Sequence, residues 1–158
     1  MLKASAVRTE SEPRSLHRKR LLACFVFIVL LLAIAGVIAE KRADLLVLGN
    51  RKFTFETAQT ETAQERGLSG RPSLAANHAV LFVFDKPGIN CFWMKDMRFG
   101  LDIIWLDVGK RVVYIKQNAQ PSTYPTSFCP DKPSQYTIEV NDGTVQKTGL
   151  KISDKVSF

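Results

Sequence analysis

Four charged residues stand where their chemistry demands an explanation. Asp102 interrupts the apolar run Leu101-Asp102-Ile103-Ile104-Trp105-Leu106. Alternation along a strand puts Leu101, Ile103 and Trp105 on one face, and Asp102, Ile104 and Leu106 on the other. A carboxylate among such neighbours costs several kcal/mol if it is buried unpaired, so it needs a cation or backbone donors, and Lys95, Arg98 and Arg66 are the cations at hand. Gathered at the mouth of a barrel, Arg66, Lys95, Asp102 and Glu139 would form a polar pocket able to hold a small ligand or move a proton. The competing reading, and the commoner use of such residues, is a structural ion pair or a capping carboxylate.

Phe92 and Trp93 are adjacent, so a strand points them to opposite sides; one can fill the core while the other offers an aromatic surface for a sugar ring or a peptide. Cys91 and Cys129 lack the Cys-x-x-Cys spacing of a redox or zinc pair. Joined, they would close a loop with a chain-entropy contribution of about 4 kcal/mol and tie a Pro-rich loop to the Phe92-Trp93 segment; two unpaired thiols are the alternative. The histidines, His17 and His78, are isolated, and no metal site is expected. No Gly-rich phosphate loop or Gly-x-Ser-x-Gly elbow occurs, so neither a nucleotide site nor a triad hydrolase is expected, and no cofactor is implied.

These residues are carried by a chain of 158 residues with net charge +7. The excess basic charge is uneven: residues 1–39 hold six basic and two acidic side chains, against 16 and 13 in residues 40–158. Between the two stretches of charge lie 19 residues, Leu21 to Ala39, without any, and 13 of them are Leu, Ile, Val or Phe. As a helix this run is roughly 28 Å long, close to the thickness of a bilayer core. It is expected to be a transmembrane helix. Arg18, Lys19 and Arg20 precede it while Lys41 and Arg42 follow, which orients the N-terminus to the cytoplasm and the rest outside. Cleavage near Ala39 with secretion is the alternative, since Val37-Ile38-Ala39 presents small residues at the right positions. With the positive charge explained by topology, nucleic acid is not an expected partner; a small molecule or an envelope protein is.

The expected organisation is a disordered basic cytoplasmic tail at 1–20, the membrane helix at 21–39, a linker and first strand at 40–52, and an extracytoplasmic domain at 53–158. Leu45 to Leu48 and Arg51 to Glu56 flank Gly49-Asn50 as a hairpin. Thr62 with Glu65 matches a capping box for a short helix stopped by Gly67 and Gly70. Strands are expected at Ala79 to Phe84, Cys91 to Met94, Leu101 to Leu106, Arg111 to Lys116 and Tyr136 to Asn141, with a hairpin turn at Asp107 to Lys110, a loop from Pro121 to Pro133, a short helix within Asp142 to Thr148 and a last edge strand at Val156 to Phe158. This pattern is α+β, mainly antiparallel β, in a compact barrel-like domain with one or two short helices.

Glu65-Arg66-Gly67-Leu68 with Arg71, then Leu81 to Phe84, Phe92-Trp93-Met94-Lys95, Leu101-Asp102-Ile103-Ile104, and Glu139-Val140-Asn141 with Gly143 and Gly149, together resemble the domain-of-unknown-function family number 192, over about residues 53–158. The resemblance implies a small β-rich domain, often exported or membrane-anchored, with no catalytic residues to inherit. Ser69, Gly100 and Ser153 depart from the pattern, which has Met, Pro and Gly there. The expectation is a binding or accessory module for a small molecule or an envelope partner, more than an enzyme. The alternative is an envelope enzyme with Asp102 or Glu139 as general acid or base and Lys95 or Arg66 stabilising developing negative charge.

Overall fold

A computed structural model describes Arg20, residues 24–28 and residues 45–158. Cys24 to Ile28 are helical and exposed, and the remainder of the expected span at 21–39, the tail at 1–19 and the linker residues 40–44 lie outside the described residues. Among the described residues, no helix is long and apolar enough to cross a membrane. The chain divides into two units, residues 1–42 and 43–158. All that follows concerns the second.

The expected hairpin opens it. β1 (Leu46–Leu48) and β2 (Arg51–Ala58) pair antiparallel around Gly49-Asn50. Gly49 has φ +55°, and a Cβ there would lie 2.2 Å from the Thr148 carbonyl oxygen, so both the turn and the close approach require glycine. Helix α1 (Glu61–Arg66) follows, capped by Thr60, whose hydroxyl accepts from the Ala63 N–H at 3.2 Å. The cap therefore lies two residues before the expected Thr62, because Thr60 is the residue still extended, at φ −92° and ψ 150°, where its side chain can accept from the free N–H of Ala63.

The connection through α1 is long enough to bring β3 (His78–Gly88) parallel to β2. Every other pairing is antiparallel. After β4 (Phe92–Trp93), β5 (Leu101–Leu106), β6 (Val112–Ala119), a 3-10 turn at Pro121–Thr123, β7 (Ser127–Phe128) and β8 (Ser134–Asn141), the main sheet has the order β1-β2-β3-β8-β5-β6, and β4 and β7 form a separate pair. Helix α2 (Thr144–Thr148) follows β8. In the Asp107 to Lys110 turn the left-handed residue is Lys110, φ +61°, and not Gly109, because Asp107 Oδ1 accepts from the N–H groups of both Gly109 and Arg111 and fixes the turn itself.

The C-terminal segment is not a further edge strand. Its residues bridge both outer strands' ends, Ser157 to Val47 and Lys155 to Arg111. The Val47 N–H donates to the Ser157 carbonyl and the Val156 N–H to the Lys110 carbonyl, each at 2.9 Å. Both edges of the sheet are thus laced by one strip of chain, which satisfies the backbone groups that edges leave unpaired.

The sheet carries a core on each face. The first contains Leu46, Leu48, Phe53, Leu81, Ile104, Leu106, Ile138, Val140, Val145 and Val156; the second contains Leu68, Val80, Phe82, Met94, Leu101, Ile103 and Trp105. All six residues of β5 are buried, its odd-numbered side chains in the second core and Ile104 and Leu106 in the first. This is the alternation expected for Leu101 to Leu106.

Candidate functional site

Register decides which of the four expected polar residues meet. Asp102 pairs with Val140 and Ile103 with Glu139, so Asp102 and Glu139 belong to opposite faces of neighbouring strands. Asp102 is fully buried on the first face, where Oδ1 accepts from the Asn118 N–H at 2.9 Å and Oδ2 from the Val145 N–H at 2.8 Å. It fastens the end of β6 and the first turn of α2 to β5. The expected cluster of Arg66, Lys95, Asp102 and Glu139 is corrected accordingly: Asp102 is a backbone-binding carboxylate, held by N–H groups and by none of Lys95, Arg98 and Arg66.

Glu139 is the contrast. It is 5% exposed, on the second face, and its Oε2 is buried with no hydrogen-bond partner among the described residues; Thr137 Oγ1, two residues earlier on the same strand, shares that condition. Burial pushes the Glu139 carboxyl up to about 8, against the opposing pull of the Arg71 charge. Arg71 itself is committed elsewhere. Its guanidinium donates to Glu56 at 2.5 and 3.0 Å, a two-pronged pair that holds Glu56 below the usual carboxylate range, with His78 Nε2 3.7 Å away on the same oxygen. His78 Nδ1 lies 2.8 Å from the Thr54 hydroxyl, so this histidine is a strut between β2 and β3.

Glu139 lines a cavity of about 210 Å3 together with Arg66, Gly67, Leu68, Phe82, Phe84, Phe92, Trp93 and Met97. Its walls come from the end of α1, the second face of β3 and β8, and the β4 strand. Three features build it. Gly67, at φ +46°, turns the chain sharply off α1, and a Cβ there would stand 3.3 Å from the Phe82 ring and 3.8 Å from Glu139 Oε2. Gln64, also on the wall, donates to the Val83 carbonyl at 2.8 Å and pins α1 to β3. The third is a disulfide between Cys91 and Cys129, which rules out the alternative of two unpaired thiols and staples the ends of β4 and β7. Its 38-residue separation corresponds to a stabilisation of about 4 kcal/mol.

The aromatic pair divides as alternation requires. Phe92 turns inward and packs edge-on against Phe82, Phe84 and Trp105, at 4.8, 6.4 and 5.7 Å between centroids. Trp93 is 51% exposed, beside Tyr124 at 6.3 Å and under Lys95, whose Nζ is 5.9 Å from the ring. Lys95 does not line the cavity. It lies on a shallower groove of about 410 Å3 that continues from the cavity mouth past Arg66, Ser69 and Trp93. Arg66 therefore belongs to both, Glu139 to the cavity and Lys95 to the groove. Arg66 is exposed and its guanidinium makes no ion pair or side-chain hydrogen bond among the described residues.

Sequence reasoning missed Phe82, Phe84, Met97, Gln64 and Gly67 as wall residues. The apolar ones carry no signal that separates a wall from a core, and only Gly67, placed between a helix and a leucine, hinted at a close approach. Of the three departures from the family pattern, Ser69 stands at the mouth, where its hydroxyl donates to the Lys95 carbonyl at 2.8 Å. Ser153 has φ +76°, a conformation that favours the glycine usual there. Gly100 lies under the side chains of Gln120 and Asp142.

A curled, mostly antiparallel sheet, laced shut by its own C-terminus and carrying a cavity beneath a stapled two-stranded flap, defines a small barrel-like β module. The fold positions one buried carboxyl in that cavity. The chain belongs to the family DUF192, described as "Uncharacterized ACR", whose model matches residues 45–158. It is similar to a crystal structure of a protein of unknown function from Novosphingobium aromaticivorans, with 30% identity and a TM-score of 0.68 over 73% of this chain and 84% of that one. It is also similar to a Sinorhizobium meliloti protein described as a candidate transcription regulator, with 27% identity and a TM-score of 0.67 over 72% of this chain and 89% of that one. No protein of curated function matches the chain.

Proposed function

We propose that this chain is a single-pass, membrane-anchored ligand-binding module whose outer domain takes a small molecule in the cavity at Glu139. One observation carries the reading. A buried carboxyl oxygen without a donor, on the wall of an open cavity, costs free energy that a fold does not need and a ligand can recover. The anchor rests on the uncharged run at 21–39 and its basic flank, and the Cys91–Cys129 bond suits an oxidising compartment outside the cytoplasm. Description of a relative as a transcription regulator raises nucleic acid as a partner, but residues 40–158 hold 16 basic and 13 acidic side chains, too balanced for a phosphate-binding face.

The test is a thermal-shift screen of the full chain in lipid nanodiscs against envelope metabolites. Compounds that raise the Tm of the native chain and lose that effect in Glu139→Gln support the reading. A screen without hits, or hits indifferent to the substitution, ends it. The intact mass of the membrane-extracted protein tests the anchor in parallel, since cleavage near Ala39 would remove the first 39 residues.

A second reading, an envelope enzyme, draws on the same carboxyl: burial raises Glu139 to about 8, which favours the protonated form that a general acid needs, with Arg66 at the mouth to meet negative charge. Asp102 and Lys95 have no part in it. Turnover of a screening hit, abolished by Glu139→Gln, would turn the binding module into this enzyme.

A further inference from the structure

We propose that the cavity is built for a small zwitterion with an apolar body, the class of free α-amino acids, its ammonium group on Glu139 and its carboxylate on Arg66. The inference rests on the ligand-binding reading and names the ligand class for the same cavity.

The two polar groups that the proposal uses, Glu139 and Arg66, line one cavity, are complementary in charge, and have no side-chain partner among the described residues. Oε2 of Glu139 lacks any donor among the described residues, and what surrounds it is aromatic: Phe82, Phe84 and Phe92 share the wall. An ammonium group brings three donors and positive charge, which a carboxylate accepts and aromatic faces favour. A neutral donor would satisfy the oxygen while leaving the rings unexploited. At the mouth, Arg66 offers a planar fork of donors with no carboxylate in it, the geometry that binds a ligand carboxylate with two parallel hydrogen bonds.

The charges around Glu139 leave room for this arrangement. From β2 comes Glu56, from the loop after α1 comes Arg71, and these two neutralise each other. From α1 come Glu65 and Arg66, both on the cavity and both exposed. A simple cation would thus reach Glu139 past an unanswered Arg66, and a simple anion would answer Arg66 and leave Glu139 alone. A zwitterion meets both. Size sets the body: an apolar hole of about 150 Å3 holds one benzene ring, so about 210 Å3 suits a branched alkyl chain or a single ring.

Binding an ammonium group ionises Glu139, and the released proton goes to solvent. With burial raising the carboxyl to about 8, the protonated form prevails at pH 7, so binding an ammonium group there sheds protons. Calorimetry of the full chain in nanodiscs at pH 7, in two buffers of different ionisation enthalpy, measures this directly. The probes are free leucine and phenylalanine, the corresponding amines without the carboxylate, and the corresponding acids without the amine.

The zwitterions are expected to bind at least about tenfold more tightly than either analogue and to release protons on binding. Glu139→Gln should abolish the release and most of the affinity. Arg66→Gln, an exposed change that spares the core, should bring the zwitterion's affinity down to the amine's while keeping the proton release. Equal binding of acid and zwitterion, or release that persists in Glu139→Gln, overturns the assignment. Should these probes fail while another compound binds through Glu139, the zwitterion is wrong and the ligand-binding reading stands; if nothing binds at all, both fall.

Discussion

The two faces of the main sheet each bury one carboxyl group, and they treat it in opposite ways. On the first face Asp102 receives two backbone N–H bonds, from Asn118 and Val145, and acts as a rivet between β5, β6 and α2. On the second, Glu139 lies one register position across the ladder with an oxygen that has no hydrogen-bond partner among the described residues. The two residues sit on neighbouring strands, β5 and β8, and their burial is similar. What differs is the cover: α2 and the ends of strands press backbone donors onto Asp102, whereas the second face is roofed by side chains and by a flap that leaves a cavity. A satisfied buried carboxyl belongs to the fold, and an unsatisfied one facing a cavity is stability given up at a site.

The largest test of this contrast is the pH dependence of stability. Glu139 has its folded-state value raised from 4.5 to about 8, so between those values the folded chain holds a proton that the unfolded chain has lost. Stability therefore falls as pH rises through that window, by up to ~5 kcal/mol, and levels off above it. Urea unfolding of the native chain and Glu139→Gln at pH 5 and pH 8 should show the native chain losing far more than the variant. Equal losses would mean that Glu139 is not the buried, proton-holding group described.

Asp102→Ala probes the other face. It strands one buried N–H group, that of Val145, and one part-buried, that of Asn118, and is expected to cost about 2–4 kcal/mol in urea unfolding at neutral pH. Glu139→Gln under the same conditions should cost little or stabilise. If the two substitutions cost the same, the distinction between rivet and site dissolves.

The smallest effect sharpens the contrast from a segment that does not line the cavity. Ser153 holds φ +76° in the lacing segment, and its backbone N–H and carbonyl already bond Val112 and Arg111. Ser153→Gly keeps those bonds and removes the conformational cost, for a gain of about 0.5–1 kcal/mol. Calorimetric melting should show a Tm rise of a few degrees, with the binding signal of any cavity ligand unchanged.

Much of this was legible in local sequence. Gly49-Asn50 between two strand-like runs specified a hairpin, because glycine alone tolerates that turn against Thr148. The alternation of Leu101 to Leu106 correctly separated Asp102 from Leu101, Ile103 and Trp105, and that of Phe92-Trp93 correctly sent one ring inward and one outward. The Cys91–Cys129 link was among the two outcomes its spacing allowed. These are properties of a few neighbouring residues, set by the two-residue period of a strand and by backbone sterics.

The candidate site was a different matter. Arg66, Lys95, Asp102 and Glu139 were grouped as one polar pocket, yet only Arg66 and Glu139 share the cavity. Parity within one strand says which of its residues share a face, but the relation between two strands depends on register, and a shift of one residue exchanges every face. The pairing of Ile103 with Glu139, the parallel crossover that sets β3 beside β2, and the return of the C-terminus across both sheet edges are all long-range contacts. Local pattern thus carried the first hairpin, the long strands and the family resemblance, but not β7, which falls in the stretch from Pro121 to Pro133 expected to be a loop, nor the C-terminal strip, expected to be an edge strand. Only the tertiary structure decided that Asp102 is locked by backbone donors and Glu139 left open, because that outcome depends on which distant segment covers each face and whether it brings an N–H group with it.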